Sequence, residues 1–279
     1  MSNPQGPAPD LPPLRQVIAR HGLTARRKLG QHFLLDLNLT ARIARAAGDL
    51  AATNVVEVGP GPGGLTRALL EAGAAQVVAV ERDPRCIAAL EELAAIYPGR
   101  LKVVEGDARA IDPVDLVAPP RRIVANLPYN IGVPLLLSWL GRAADYAGLT
   151  LMFQKEVADR LVGRPRSKDY GRLSVMVQWL CEVRREFNVD RHAFTPPPKV
   201  ASSVVTLVPR RLPLAQANMA DLEQVTAAAF GQRRKMLRTS LKPLGLDPQS
   251  LGLDPTARAE ELTVEQFCIL ARALATGGS

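Results

Sequence analysis

The sequence is poor in cysteine and has no cysteine spacing that suits a metal site. Its three cysteines, Cys86, Cys181 and Cys268, are odd in number and far apart, and none has a histidine or cysteine neighbour at metal-ligand spacing. Isolated thiols of this kind are typical of buried side chains in a reducing compartment. We therefore expect no metal cofactor.

The sequence predicts neither a signal peptide in its first residues nor an uninterrupted membrane span. The first 13 residues hold five prolines and no apolar stretch, which predicts a disordered tail over residues 1–13. Residues 123–141 carry no charge and are long enough to suggest a membrane span, but two prolines and two asparagines interrupt them. A strand, a loop and a helix are favoured instead. We expect a cytoplasmic protein, and a monomer because no long apolar surface demands a partner.

Acidic residues are outnumbered, 27 against 35 lysines and arginines, so the formal net charge is +8. A basic balance favours a polyanionic partner such as nucleic acid, although a soluble basic surface explains it equally well. Five basic residues lie in each of two short segments, 160–172 and 232–242, and a third basic group covers residues 26–28. By itself such a run can be a solvated helix face or an RNA contact.

Short β-branched runs alternate with helical patterns from about residue 36 to residue 209. This alternation predicts an α/β fold with a parallel sheet covered by helices, whose ligands lie beyond the carboxyl ends of the strands. A late pair of strands follows no helix and suggests an antiparallel addition at one sheet edge. The predicted strands are residues 55–58, 77–81, 102–105, 122–125 and 149–154, then 186–189 and 203–208. Three further helices are predicted over residues 217–230, 232–242 and 256–275.

A glycine-rich loop follows the first predicted strand. Gly59, Gly61 and Gly64 have the spacing of a nucleotide-binding turn, where glycine lets the backbone approach a ligand; a tight turn without ligand is the alternative. Glu81 ends the second strand, where a carboxylate can accept both hydroxyls of a ribose. Asp107 follows the third, where it can accept from an adenine amine. These strand ends predict a cofactor that carries a nucleoside.

The fourth strand is followed by Asn126, Leu127, Pro128 and Tyr129. A nicotinamide enzyme would need a proton donor beside a carbonyl here, whereas this turn suits methyl transfer from S-adenosylmethionine to an amine. The asparagine oxygen and a backbone carbonyl can accept the two N–H groups of the amine, and Tyr129 can stack on a base. The turn by itself suits a DNA, an RNA or a protein-amide substrate.

Over about residues 26–275 the chain resembles the ribosomal RNA adenine N6-dimethyltransferase family. The resemblance implies a class I S-adenosylmethionine methyltransferase fold, Rossmann-like, with a mostly parallel seven-stranded sheet and a small C-terminal all-α domain. It implies a catalytic domain over residues 14–209 and a helical rRNA-binding domain over residues 210–279. The resemblance rests on the glycine loop, the turn at 126–129, and residues 28–34, 154–157, 170–175 and 194–200.

The resemblance also implies roles for individual residues. Phe194 would face Tyr129 across the target base, whereas from the residues alone a phenylalanine before three prolines is more often a packing residue. His32 would contact the cofactor through its backbone, since many relatives have asparagine there; a loop-packing histidine is the alternative. The implied cofactor contacts are His32, Leu34, Gly59, Gly61, Glu81, Asp107 and Asn126. The implied catalytic residues are Asn126, Leu127, Pro128, Tyr129 and Phe194.

The implied substrate is 16S ribosomal RNA within the immature small subunit. Two adjacent adenosines in its 3′-terminal hairpin loop would be dimethylated, with S-adenosylhomocysteine as the product. Two alternatives remain: an Erm-type enzyme that modifies large-subunit RNA, and a mainly non-catalytic checkpoint factor in ribosome assembly. The implied RNA contacts are Arg233, Arg234, Lys235 and Arg238.

Overall fold

The computed structural model describes residues 11–26 and 30–277. Most of the predicted disordered tail, and Arg27 and Lys28 of the first basic group, lie outside the described residues. The helices are α1 Leu14–Arg20, α2 Leu37–Ala46, α3 Gly64–Glu71, α4 Pro84–Ile96, α5 Gly132–Leu140, α6 Lys155–Leu161, α7 Arg172–Leu180, α8 Met219–Gly231, α9 Leu237–Ser240 and α10 Val264–Ala275. The strands are β1 Phe33–Leu34, β2 Asn54–Val58, β3 Gln76–Glu81, β4 Leu101–Glu105, β5 Arg121–Asn126, β6 Gly148–Gln154, β7 Cys181–Val189, β8 Phe194–Thr195 and β9 Ser202–Pro209.

A seven-stranded sheet has the order β4-β3-β2-β5-β6-β9-β7. The pairs β2 with β3, β2 with β5, β3 with β4 and β5 with β6 are all parallel, which confirms the predicted fold class. The late strands β9 and β7 stand at one end of this order, as predicted. The chain passes from β2 to β3 on one side, and β5 pairs with β2 on the other. The carboxyl ends of β2 and β5 therefore open onto a switch in strand order, where α/β folds bind ligands.

The described residues form two compact units. The first contains the described chain up to Lys155 together with Glu186–Thr206. Its core is built from β-branched strand residues and from apolar residues of α2 and α3, because strands covered on both sides are mostly apolar. Side chains cap the helices: the Asp36 carboxylate accepts from the backbone N–H of Asn38 at 2.9 Å and of Leu39 at 3.3 Å.

The second unit contains Glu156–Arg185 and the described chain from Leu207 onward. Phe267 is fully buried at its centre, and Trp179 donates its indole N–H to the carbonyl of Ala215 at 2.8 Å. The domain boundary predicted from the sequence, between residues 209 and 210, places residues 156–185 in the catalytic domain. In the structure they group with the C-terminal helices, because Tyr170 and the apolar face of α7 are buried in the same core.

The predicted helix over residues 232–242 is wrong for most of its length, since only Leu237–Ser240 is helical. Met236 is extended and forms an isolated bridge with Arg258, while the N–H of Leu237 donates to the carbonyl of Ala257 at 2.8 Å. Helix α10 starts at Val264 rather than near residue 256, because Thr263 caps it in a capping box with Gln266. Among the described residues, no helix has the length and apolarity to cross a membrane.

One carboxyl group is buried inside the sheet of the first unit. Glu57 of β2 is 1% exposed, and the hydroxyl of Thr66 donates to its Oε2 at 2.6 Å. Burial raises the pKa of Glu57 from 4.5 to about 8, the Thr66 hydrogen bond lowers it, and the neighbouring Glu81 raises it further. The folded protein therefore holds Glu57 mainly in its protonated form at neutral pH.

Glu57 predicts a specific pH dependence of stability. Below pH 4.5 the raised pKa of Glu57 makes its full contribution to the free energy of unfolding. This contribution is lost as the pH rises to about 8. Across that window we expect it to lower the free energy of unfolding by about 1.4 kcal/mol per pH unit. Glu57→Gln keeps an acceptor for Thr66 and should remove this slope in urea titrations, whereas Glu105→Gln controls for the loss of one exposed glutamate. Equal slopes in wild type and Glu57→Gln would contradict the assignment.

A second stability prediction concerns Gly163, in the second unit. A Cβ at Gly163 would lie 2.9 Å from the backbone carbon of Asp169 and 2.9 Å from the backbone nitrogen of Tyr170. Because backbone atoms cannot swing away, Gly163→Ala should lower the free energy of unfolding by about 1–3 kcal/mol. Gly231→Ala is the matched control, since a Cβ there meets nothing within 4 Å. Thermal and urea unfolding of the two variants should differ, and equal stability would refute the steric argument.

Candidate active site

A cavity of about 890 Å³, part of it open to solvent, lies at the carboxyl edge of the sheet in the first unit. All of the predicted catalytic and cofactor-binding residues except Phe194 line it. They are His32, Leu34, Gly59, Gly61, Glu81, Asp107, Asn126, Leu127, Pro128 and Tyr129. The structure therefore brings the predicted cofactor turn and the predicted amine-binding turn to one cavity.

The glycines of the loop make room for protein as well as for a ligand. Gly59 and Gly61 have left-handed backbones with φ of 69° and 57°. A Cβ at Gly61 would lie 3.1 Å from the ring of Phe33, and one at Gly64 would lie 2.7 Å from the carbonyl oxygen of Leu34. The loop therefore accepts β1 across its surface, and α3 begins directly under that strand.

Glu81 is held by backbone N–H groups at the end of β3. Its Oε2 accepts from Gly61 at 3.1 Å, and its Oε1 accepts from Arg82 at 2.8 Å and from Asp83 at 2.9 Å. Burial raises the pKa of Glu81, while these three hydrogen bonds act in the opposite direction. The carboxylate is thus fixed against the glycine loop, and Oε2, which accepts only one of these three bonds, still has a lone pair for a ligand hydroxyl.

Asp107 follows β4 and is half-buried beside two arginines. Arg109 donates its Nη2 to Oδ2 at 2.6 Å and its backbone N–H to Oδ1 at 3.0 Å, and Arg82 lies 3.9 Å away. These contacts hold the pKa of Asp107 well below its usual range, with the Arg109 side chain as the largest cause. Asp107 is therefore an ionised acceptor at the cavity rim.

Asn126, the last residue of β5, is oriented by a backbone carbonyl. Its Nδ2 donates to the carbonyl oxygen of His32 at 3.1 Å. Since two facing oxygens would repel each other, this bond assigns the amide so that Oδ1 is the atom left to accept a proton donor. In the following turn, the Pro128 carbonyl accepts from Ile131 at 3.1 Å and from Gly132 at 3.0 Å, so that oxygen already serves the start of α5.

Tyr129 is held by a hydrogen bond of its hydroxyl and by a stacking contact of its ring. Its hydroxyl lies 2.6 Å from Oγ of the buried Ser202, and its ring stacks on the imidazole of His32 with centroids 5.6 Å apart. Burial raises the pKa of Tyr129, and the Ser202 hydrogen bond partly offsets this. The ring orientation is therefore set by the fold.

Phe194 does not line the cavity. It is 2% exposed and packs in the core cluster with Leu34, Val189 and Val204. The interpretation from the residues alone, a packing residue, describes this position, whereas a ring that openly faces Tyr129 is not what the structure shows. The His32 imidazole contacts both rings, since it stacks on Tyr129 and lies edge-on to Phe194 with centroids 6.4 Å apart.

Phe194 is placed by a small antiparallel ribbon. Strand β1 pairs with β8 so that Phe33 faces Thr195 and Leu34 faces Phe194. The ribbon joins the segment over the cavity to the aromatic residue behind it. Its two strands are too short to be predicted from a pattern of residues, and neither is among the strands predicted from the sequence.

Gln31 is a cavity residue to which the sequence analysis gave no role. Its Nε2 donates to Oδ2 of Asp83 at 3.0 Å, and its Oε1 accepts from the N–H of Arg26 at 2.8 Å. Asp83 is 1% exposed, and hydrogen bonds from Arg85 lower its pKa to about 2. Gln31 therefore holds the segment that carries His32 in place through its hydrogen bond to the ionised carboxylate of Asp83. The sequence contained a signal for Gln31, because this residue lies inside the segment 28–34 on which the family resemblance rests.

The predicted RNA-contacting residues belong to the second unit and are all exposed. Arg233 differs from its neighbours because its Nη2 donates to the carbonyl of Tyr170 at 2.6 Å. Part of its guanidinium thus closes a turn within the unit. Arg234, Lys235 and Arg238 are exposed on the segment around α9.

Comparison with known proteins gives consistent matches along the chain. The model of a family described as Ribosomal RNA adenine dimethylase matches residues 22–276. A relative from Paramagnetospirillum magneticum, named Ribosomal RNA small subunit methyltransferase A, is 66% identical over 268 residues, which are 95% of each chain.

Two solved structures have the same fold. A dimethyladenosine transferase from Plasmodium falciparum matches with a TM-score of 0.76 and 26% identity, over 88% of this chain and 98% of that chain. The 23S rRNA methyltransferase ErmE matches with a TM-score of 0.66 and 31% identity, over 87% of this chain and 99% of that chain. Together with the family model and the near full-length relative, these matches show that the chain belongs to the ribosomal RNA adenine dimethylase family.

Proposed function

We propose that this protein transfers methyl groups from S-adenosylmethionine to N6 of adenosines in small-subunit ribosomal RNA. Family membership supports the reaction class, and the 66% identical relative carries a small-subunit name. The observation that carries the proposal is the orientation of Asn126, whose Nδ2 is fixed by the His32 carbonyl so that Oδ1 can accept from an amine.

The cavity has donors and acceptors that fit the nucleoside part of S-adenosylmethionine. Glu81 would accept the ribose hydroxyls and Asp107 an adenine amine, since both are strand-end carboxylates on the cavity wall. When bound, the cofactor supplies an electrophilic methyl group. The segment with Gln31 and His32 covers this wall and limits the access of water.

The amine subsite is formed by two acceptors. Asn126 Oδ1 is the first, and the Leu127 carbonyl is the second, because the Pro128 carbonyl is already occupied by two N–H groups of the turn. Two acceptors draw the amine lone pair out of conjugation with the purine ring and aim it at the methyl group. The proton becomes acidic only after methyl transfer and leaves to solvent, so this scheme needs no strong base.

The substrate is assigned as two adjacent adenosines in the 3′-terminal hairpin loop of 16S ribosomal RNA in the immature small subunit, each dimethylated. The relative's name supports the small subunit rather than a large-subunit target, since ErmE shares only 31% identity with this chain. An assembly-checkpoint role is separable from catalysis, because it requires binding of immature subunits without methyl transfer.

The exposed cations around α9 supply the RNA contacts. Arg234, Lys235 and Arg238 are free of the internal bond that Arg233 makes to Tyr170. Contacts of this kind bind phosphates without regard to sequence and weaken with salt.

Replacement of Asn126 tests the amine subsite. Asn126→Ala should lower methyl transfer to undermethylated small subunits by roughly 100-fold, because the amine is no longer aimed at the methyl group. Transfer is measured with labelled S-adenosylmethionine, beside large-subunit RNA as an alternative substrate. Asn130→Ala, an exposed asparagine in the same turn, is the matched control and should keep the wild-type rate.

Undiminished transfer by Asn126→Ala would overturn the role of this residue. Efficient transfer to large-subunit RNA by the wild type would instead favour the Erm-type alternative. Binding of immature subunits by the inactive variant would add a checkpoint role.

Replacement of Arg234 tests the RNA contacts. Arg234→Ala should weaken binding to small subunits and reduce the slope of log K against log salt by about 0.7 to 1, as expected for one lost phosphate contact. Arg45→Ala, an exposed arginine of α2 in the first unit, is the charge-matched control. Filter binding at several salt concentrations gives the slopes, and an unchanged slope in Arg234→Ala would remove this residue from the interface.

A further inference from the structure

The imidazole of His32 contacts both of the aromatic rings that the resemblance assigns to the target base. Its ring lies 5.6 Å from Tyr129 with an interplanar angle of 29°, and 6.4 Å from Phe194 with an angle of 81°. Its Nδ1 lies 2.8 Å from the carbonyl oxygen of Pro196. Two ring contacts and one hydrogen bond therefore hold this side chain, which would otherwise be free at the edge of a cavity.

The spacing leaves no room for a base between His32 and Tyr129. A flat ring needs about 3.5 Å on each face, so two parallel walls must stand about 7 Å apart to hold one. The 5.6 Å separation is already that of an offset stack between the two side chains. The same imidazole also contacts Phe194 edge-on, and Phe194 is 2% exposed.

We propose that the His32 side chain is a plug that fills the base pocket before RNA binds and is displaced when the target adenine enters. This inference rests on the proposed function, because that function defines the pocket. The adenine takes over the stack on Tyr129, and the departure of the imidazole uncovers Phe194 as the second wall. When the imidazole leaves, the hydrogen bond from its Nδ1–H to the Pro196 carbonyl is broken.

The backbone of His32 keeps its own role while the side chain moves. Its carbonyl accepts from Asn126, and the next residue, Phe33, begins the pairing of β1 with β8. Replacing the side chain therefore leaves the acceptor that orients Asn126 in place. The plug would make His32 a determinant of specificity. Moving the imidazole breaks its stack on Tyr129 and its hydrogen bond to Pro196, and only a base that replaces both interactions offsets the free energy lost.

The test measures entry of a base with the full-length protein. The probe is a hairpin RNA that carries fluorescent 2-aminopurine at the target position, whose emission is quenched when it stacks on Tyr129. His32→Ala removes the plug and should give half-maximal quenching at a roughly tenfold lower RNA concentration than wild type, since one aromatic pair and one hydrogen bond no longer have to be broken. The KM for subunits should fall by a similar factor, whereas the loss of a wall for the base would raise it.

Two further variants separate the plug from other roles. His32→Phe keeps a ring but cannot bond the Pro196 carbonyl, and it should stay within about threefold of wild type if stacking provides most of the plug. His192→Ala is the matched control, because His192 is exposed and bonds only to its neighbour Asp190 in the turn before β8. Direct titration should give the same affinity for S-adenosylmethionine in all four proteins.

Weaker quenching in His32→Ala than in wild type would show that the imidazole is a wall for the base and would overturn the plug. Equal quenching in the two proteins, or none in any of them, would overturn it as well. Failure of the proposed function has a different signature, namely no methyl transfer by the wild type. The quenching comparison then still decides the role of His32.

Discussion

The pairing of β1 with β8 is the interaction on which the site depends. It joins two strands of two residues each, Phe33 with Thr195 and Leu34 with Phe194, across about 160 positions of the chain. This pairing places Phe194 in the core, sets His32 beside Tyr129 and brings the His32 carbonyl to Asn126. The glycine loop is the complementary requirement, because a side chain at Gly61 or Gly64 would occupy the space that the ribbon takes.

The sequence was informative wherever a pattern extends over a whole element or a whole turn. Alternating β-branched and helical runs predicted the parallel sheet, and strand-end residues such as Glu81 and Asn126 were placed on one cavity. Parallel strands leave little freedom here, because their carboxyl ends must meet at one edge. Once the strands are assigned, the residues that follow them are neighbours by geometry.

Features set by long-range contacts could not be read from the sequence. Two-residue strands have no periodicity, so neither the β1–β8 ribbon nor the contact of His32 with two aromatic rings was predicted. The helix predicted over residues 232–242 failed for a similar reason: Met236 bridges Arg258, and a contact of this kind outweighs local helix propensity. The pKa of Glu57 depends on burial among neighbours, which the residue itself does not reveal.

The way in which the two units share the chain limits how the protein can be divided. Each unit is discontinuous, since Glu156–Arg185 separates the two segments of the first and Glu186–Thr206 those of the second. A ribosome must therefore have synthesised the chain through Thr206 before the first unit is complete. A truncation near residue 210 would not release a clean catalytic domain, because Trp179 and Tyr170 would lose the helices that bury them and would leave an apolar surface prone to aggregation.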